Sequence, residues 1–216
     1  MLIFNKNKSK TNYEFYNMDL FRDLKHDTEF DMPVIEECEL EEPTRLVPFN
    51  IAMANQDYDC TVHFYINDSL FARILNNPLK YLPILKRFKS VISPDFSQFT
   101  DFPYALRICN AYWNRALAAW WQLNGVKVIL NITWSLPDSY QYSFCGLPKH
   151  SIVAINSIGV KKHNLSQYLW LKGYQEALKS LCPKLIVRYG DVMAGEDIDN
   201  SMYFSNEHLD RMRNGR

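Results

Sequence analysis

Residues 90–97 read Ser-Val-Ile-Ser-Pro-Asp-Phe-Ser, and residues 126–134 read Val-Lys-Val-Ile-Leu-Asn-Ile-Thr-Trp. Between them Leu106, Cys109, Trp113, Leu117 and Trp120 recur at steps of three and four, the spacing of one helix face. Pro103 falls in the first turn of that helix, with Thr100 or Asp101 as its expected cap, and Asn124-Gly125 is a C-terminal stop. The second strand starts at once, and so short a return from helix to strand suits a parallel crossover. The unit is strand–helix–strand. Its strand ends carry Asp95, Ser97, Asn131, Thr133 and Trp134 to one rim. In parallel α/β sheets ligands bind at the carboxyl ends of the strands.

Outward from this unit the pattern repeats. Residues 46–49 and 60–66 have the β-branched and aromatic content of strands, and residues 151–157 form a buried run ending in Asn156 and Ser157. A helix follows, with Asn164 and Gln167 as a capping box and Tyr168, Leu171, Tyr174, Leu178 and Leu181 facing inward. Residues 184–191 supply a last strand and its exit. Alternation of strands and helices predicts an α/β fold with a largely parallel sheet and right-handed crossover helices. Six strands are too few for a complete eight-stranded barrel, so the sheet is expected to be open or incomplete and barrel-like. The expected organisation is an N-terminal arm (1–45), an α/β domain (46–191) and a C-terminal tail (192–216) with a short helix at 207–213.

Lys and Arg number 24, as do Asp and Glu, so the formal net charge is zero. That argues against bulk nucleic-acid binding, which needs uncompensated cations along a backbone. Cys38, Cys60, Cys109, Cys145 and Cys182 form no Cys-x-x-Cys pair and no zinc-ligand spacing. The N-terminus has no apolar run long enough for a signal peptide, and no stretch approaches the roughly 20 apolar residues of a membrane span. A cytoplasmic protein with reduced thiols and no membrane association is expected. The glycine-rich nucleotide fingerprints and the Gly-x-Ser-x-Gly elbow are absent from the sequence.

Several of these residues carry a family likeness. Phe64-Tyr65-Ile66-Asn67-Asp68 with Phe71, Ser93-Pro94-Asp95-Phe96-Ser97 with Asp101 and Pro103, and then Asn110, Arg115 and Gly125 belong to it. So do Asn131, Trp134, Phe144, Gly146, Pro148, Ser157-Ile158-Gly159, Gly173 and Tyr189-Gly190. Over residues 46–190 the chain resembles the DUF4417 family of bacteria, phages and plasmids. The resemblance implies a cytoplasmic protein of phage or mobile-element type and no particular reaction.

Read for chemistry, Asp95 and Asn131 are the candidate catalytic pair. Pro94 holds Ser93 extended, so the strand runs straight out to the Asp95 carboxylate, which is a general base, a metal ligand or an acceptor for ligand hydroxyls. The structural alternative is a turn cap. Ser97, Arg115, Trp134, Ser157, Tyr189 and Asp191 are the candidate ligand-binding residues. Arg115 has the fork that suits a phosphate, and Trp134 a face for a sugar or base. Asp191, Glu196, Asp197 and Asp199 follow the last strand, and with Asp95 they offer oxygen ligands for a Mg²⁺ ion, against the alternative of a solvated acidic loop. Two functions follow. One is a strand-end cleft, walled in part by loop 135–150, that binds, with or without hydrolysis, a nucleotide or sugar-phosphate, with Arg115 or Arg188 as counter-charge. The other is a module that binds a host protein through loop 135–150, the acidic arm and the tail.

Overall fold

The computed structural model describes residues 11–27, 29–38, 42–54 and 56–205. Helices α1 (Asn12–Phe15) and α2 (Met18–Phe21) come first. Then follow β1 (Leu46–Pro48), α3 (Phe49–Ala52), β2 (Thr61–His63), α4 (Arg73–Asn76), α5 (Pro78–Leu85) and β3 (Ser90–Ile92). The chain continues through α6 (Tyr104–Leu123), β4 (Val128–Asn131), α7 (Tyr140–Ser143), β5 (Ile152–Asn156), α8 (Asn164–Leu181), β6 (Leu185–Tyr189) and β7 (Ser201–Phe204). These seven strands form one sheet in sequence order, every neighbouring pair parallel. The sheet is a curled half-barrel with helices between the strands. The expected count of six falls one short, because β7 lies in the segment read as a tail and pairs with β6 from Ile186↔Ser201 to Tyr189↔Phe204. No helix separates β6 from β7, so the helix–strand alternation that marked the other crossovers is missing there. The short helix expected at 207–213 lies outside the described residues.

Strands buried on both faces read as continuous apolar runs, and these do. Side chains alternate across the pleat. Val62, Phe64, Val91, Val128, Leu130, Val153, Ile155 and Ile186 face the helices and join the main core. Ile92, Ile129, Ile152, Ala154, Val187, Tyr65 and Tyr189 form a second core on the concave side. The curl is visible in ring contacts. Tyr189, at the end of β6, stacks on Tyr65 at 5.3 Å and lies 4.6 Å from His63 of β2, although three strands separate β2 from β6 in the sheet. Only a sheet bent back on itself brings those side chains together.

The long helix is rotated from the expected face. Leu106 and Cys109 are exposed and Trp113 is half-buried, while Arg107, Ala111, Asn114, Leu117 and Trp121 are buried. Trp121 stacks on Phe64 over the sheet at 5.7 Å. Trp113 and Trp120 turn to Phe21 of α2, each at 6.3 Å. The segment before residue 46 therefore covers the back of α6, and Phe21, Leu24 and Ile35 enter the main core. The caps differ too. Pro103 is the N-cap residue of α6 and His163 that of α8, neither with a side-chain capping bond.

Residues 135–150 are packed rather than free. Arg107 holds Asp138 through two hydrogen bonds of 2.9 and 3.0 Å, and Tyr142, Ser139 and Ser143 are buried. On the helix side of β6, Arg188 is buried against Glu196 and lies over the rings of Trp170, Tyr174 and Tyr203. All five cysteines are unpaired. Among the described residues no helix is long and apolar enough to cross a membrane.

Candidate functional site

Alternation along the strands builds the site. Asn131 stands one pleat above Ile129, Asn156 above Ala154, Tyr189 above Val187 and Tyr65 above His63, all on the concave side. At the carboxyl ends the apolar layers of the half-barrel give way to a layer of amides and phenols. Asp95, three residues past β3, completes it.

The top layer is one hydrogen-bonded chain. The Tyr65 hydroxyl donates to Asn131 Oδ1 at 3.1 Å. Asn131 Nδ2 donates to Asp95 Oδ1 at 2.8 Å and to the Pro94 carbonyl at 3.2 Å. Those two acceptors fix which way the amide points. The Ser93 hydroxyl accepts from the Asn131 backbone N–H at 2.7 Å. Asn156 Nδ2 reaches Asp95 Oδ2 at 3.4 Å, while its Oδ1 accepts from the Ile158 N–H at 2.8 Å. Asp95 Oδ2 thus keeps spare acceptor capacity. Burial pushes the Asp95 carboxyl up to about 6, against the two amide donors that favour its charged form, and Asp68 adds a smaller upward push. Burial likewise raises the Tyr65 phenol well above its ordinary value, so it stays a donor.

Around Asp95 opens a cavity of about 410 Å³. Tyr65, Asn67, Gln98, Thr133 and Asn156 give it polar lining, and Phe99, Trp134 and Trp170 give it aromatic walls. Among the described residues no Lys or Arg lines it, and Asp95 is the one carboxylate that does. Trp170 is fixed by a bond from its indole N–H to the Asn156 carbonyl at 3.1 Å. Trp134 lies across α8 at Gly173, where an added Cβ would come within 2.0 Å of the indole nitrogen. The exit from β3 has no regular structure, yet side chains clamp it. Asn114 bonds both the N–H (2.7 Å) and the carbonyl (3.3 Å) of Phe96. Asp68 accepts from the N–H and hydroxyl of Ser97 at 3.0 and 2.9 Å, and Asn110 donates to the Ser97 carbonyl at 2.6 Å.

The structure brings Asp95, Asn131, Ser97 and Trp134 together. Tyr189 is beside them, stacked on Tyr65. Ser157 lines no part of this cavity: its hydroxyl donates to the Asp191 carbonyl at 2.5 Å. Asp191 faces Lys161 at 3.7 Å. Arg115 is buried on α6, where its guanidinium donates to the carbonyls of Ser143 and Cys145 and burial lowers it to about 10. Neither Arg115 nor Arg188 is a counter-charge for Asp95. Loop 135–150 does not line the cavity; it supports the wall from behind, with Phe144 against Trp134 at 6.3 Å. Glu196 pairs with Arg188, and Asp197 accepts from the Asp199 N–H at 3.0 Å. Among the described residues no group of three or more His, Cys, Asp or Glu is placed to hold a metal ion. Tyr65, Asn67, Gln98, Phe99 and Trp170 were not among the site residues read from the sequence. For Tyr65 the signal was available, since it continues the concave alternation of Thr61 and His63.

A second cavity of about 840 Å³ lies on the concave side between the edge strands β1 and β7, lined by Leu46, His63, Tyr189, Tyr203 and Phe204 among others. His63 is buried there as an uncharged ring. Its Nδ1 accepts from the Tyr65 N–H at 3.2 Å, and burial lowers it to about 3.

Comparison with known proteins names no reaction. Two curated relatives are each called "Gene 1 protein", from Mycobacterium phages D29 and L5. Each is 32% identical over 165 residues, 73% of this chain. The match spans 61% of the D29 protein and 72% of the L5 protein. No solved structure matches the chain significantly. The profile described as "Domain of unknown function (DUF4417)" matches residues 24–205, and so the chain belongs to the DUF4417 family.

Proposed function

We propose that the strand-end cavity binds a small molecule of the nucleotide or sugar-phosphate class, and that it grips the sugar or nucleoside part. The observation that carries this reading is Asp95. Its carboxyl is held at the floor of an aromatic-walled cavity by Asn131 and Asn156, with Oδ2 open to a ligand hydroxyl. With no Lys or Arg among the described residues of the lining, a phosphate gains little by entering. A nucleoside and its 5′-monophosphate are therefore expected to bind within about 1 kcal/mol of one another.

Binding comes first in this reading. Most glycosidases need two carboxyl groups across the bond they cleave, and the described residues of this cavity offer one. In any turnover Asp95 is the acid–base group, since a carboxyl near 6 exchanges protons close to neutral pH. The proposed setting is the cytoplasm. Calorimetry with a panel of sugars, nucleosides and nucleotides tests the proposal. Binding that is lost in Asp95→Ala, with the fold intact, supports it. Absence of binding by every member of the panel ends it.

The rival reading is a contact with a host protein. Residues 135–150 expose mainly the polar side chains of Asp138, Gln141, Lys149 and His150 with Pro137. Its support lies instead at the seam between β1 and β7, where Ile51, Leu70 and Tyr203 are exposed beside the second cavity. Capture of one stoichiometric partner, undisturbed by Asp95→Ala and Asn131→Ala, would favour it.

A further inference from the structure

We infer that Gln98 is the base-reading residue of the strand-end cavity, and that the ligand carries a nucleobase. This rests on the cavity being a small-molecule site. Gln98 lines it and is 7% exposed, and neither Oε1 nor Nε2 of its amide has a hydrogen-bond partner. Folded interiors leave few such atoms, and both ends of one amide are left here. The placement is not slack. Ser97, the residue before it, is held at its N–H, hydroxyl and carbonyl by Asp68 and Asn110, and Phe96 is held at both backbone groups by Asn114. A rigidly positioned backbone therefore carries, at the cavity wall, a buried amide whose bonds are unmade and which a turn of its side chain would bring to a ligand.

A glutamine amide offers one donor beside one acceptor. The polar edges of nucleobases offer the same pair in reverse, an amino or imino N–H next to a ring nitrogen or carbonyl. Bare sugars have no such planar pair. The neighbouring walls fit the same ligand. Phe99, Trp134 and Trp170 line the cavity and have faces on which a base stacks, and stacking accepts any base while the amide selects its edge. Asp95 Oδ2 and Asn156 then remain for the ribose hydroxyls.

The experiment uses the full chain, with ribose, adenosine, cytidine, guanosine and uridine as titrants and thermal unfolding measured in parallel. Wild type is expected to bind nucleosides roughly tenfold or more above ribose, the effect of pairing a buried amide. Gln98→Leu should level the affinities for the four nucleosides, which stacking alone does not distinguish, and should raise Tm, because two unpartnered polar atoms leave the interior. Gln98→Glu offers two acceptors, so its preference should move toward guanosine, whose edge presents adjacent N–H donors. That shift is one that a merely structural glutamine would not produce, and it tests the inference even where Gln98→Leu fails to fold. If Gln98→Leu gains stability and binds nucleosides like wild type, the amide is a buried group satisfied by water and the inference fails. If wild type binds ribose and nucleosides equally, the inference falls while the cavity remains a ligand site. If it binds none of the probes, both readings fall.

Discussion

Asp95 keeps its proton over a range of pH in which an ordinary aspartate has lost it. The sign of the effect follows from linkage. In the unfolded chain the carboxyl titrates near 3.8, and in the folded chain near 6. Between those values the folded state holds a proton that the unfolded state has released. Stability should fall as pH rises from about 4 to about 6, then level off, by an amount on the order of 1–3 kcal/mol. Denaturant unfolding across that range checks it, and Asp95→Asn should flatten the slope. An unchanged slope would mean that the carboxyl is solvated like any other. Gly173 gives a second single-residue prediction. Alanine normally improves a helix interior over glycine by about 1 kcal/mol. Here its Cβ would enter the Trp134 indole at 2.0 Å. Gly173→Ala should therefore destabilise by about 1–3 kcal/mol, as overpacking does, and should weaken ligand binding by moving a cavity wall. Tryptophan fluorescence and unfolding together test it. A gain in stability would show that Trp134 does not rest there.

At the scale of elements, α6 shows what periodicity reveals and what it hides. Steps of three and four placed the helix and its Asn124-Gly125 stop correctly, and the strand–helix–strand unit followed. The stripe caught Leu117 and Trp120 but missed the rest of the buried surface because α6 is covered twice. The sheet takes Leu117 and Trp121, and the α2 segment takes Trp113 and Trp120. A helix buried on two sides has no single apolar arc, and its polar buried residues supply no hydrophobic signal. Arg107, Asn114 and Arg115 are of this kind: they tie neighbouring loops rather than face water. Trp121→Ala should cost about 3–5 kcal/mol in chemical denaturation, the range for a buried aromatic, whereas Trp113→Ala should cost less than about 2 kcal/mol. The opposite order would restore the face that the spacing suggested. The site divides in the same way. Asp95, Asn131 and Trp134 were legible because strand ends in an α/β sheet converge. Gln98 and Phe99 were not, since they sit on an irregular exit whose shape is set by Asp68, Asn110 and Asn114 from other elements.

For the whole molecule the decisive question is where the fold ends. A sheet that curls on itself has two edges, and here these are β1 and β7. The sequence suggested a domain closing at residue 191, because the acidic stretch after it has neither strand alternation nor a helical stripe. The described structure instead draws three things from beyond that point. Met193 is buried in the main core. Glu196 is the buried partner of Arg188, and it also accepts from the Met193 N–H at 2.8 Å. Strand β7 pairs with β6 along four positions. A chain ending at Asp191 loses all three at once. The Arg188 guanidinium would then be left charged beneath Trp170 and Tyr174 with no carboxylate, and removing one partner of a buried pair alone costs about 3–5 kcal/mol. Set against a total stability of about 5–15 kcal/mol for a domain, that loss together with the pairing of β7 is expected to abolish cooperative unfolding. Circular dichroism melts of the 1–191 chain and of full-length Glu196→Gln separate the causes. The substitution should lower Tm yet leave a sharp transition, and the truncation should leave none. A 1–191 chain that melts sharply near the full-length Tm would place the end of the fold where the sequence suggested, with β7 an accessory to it.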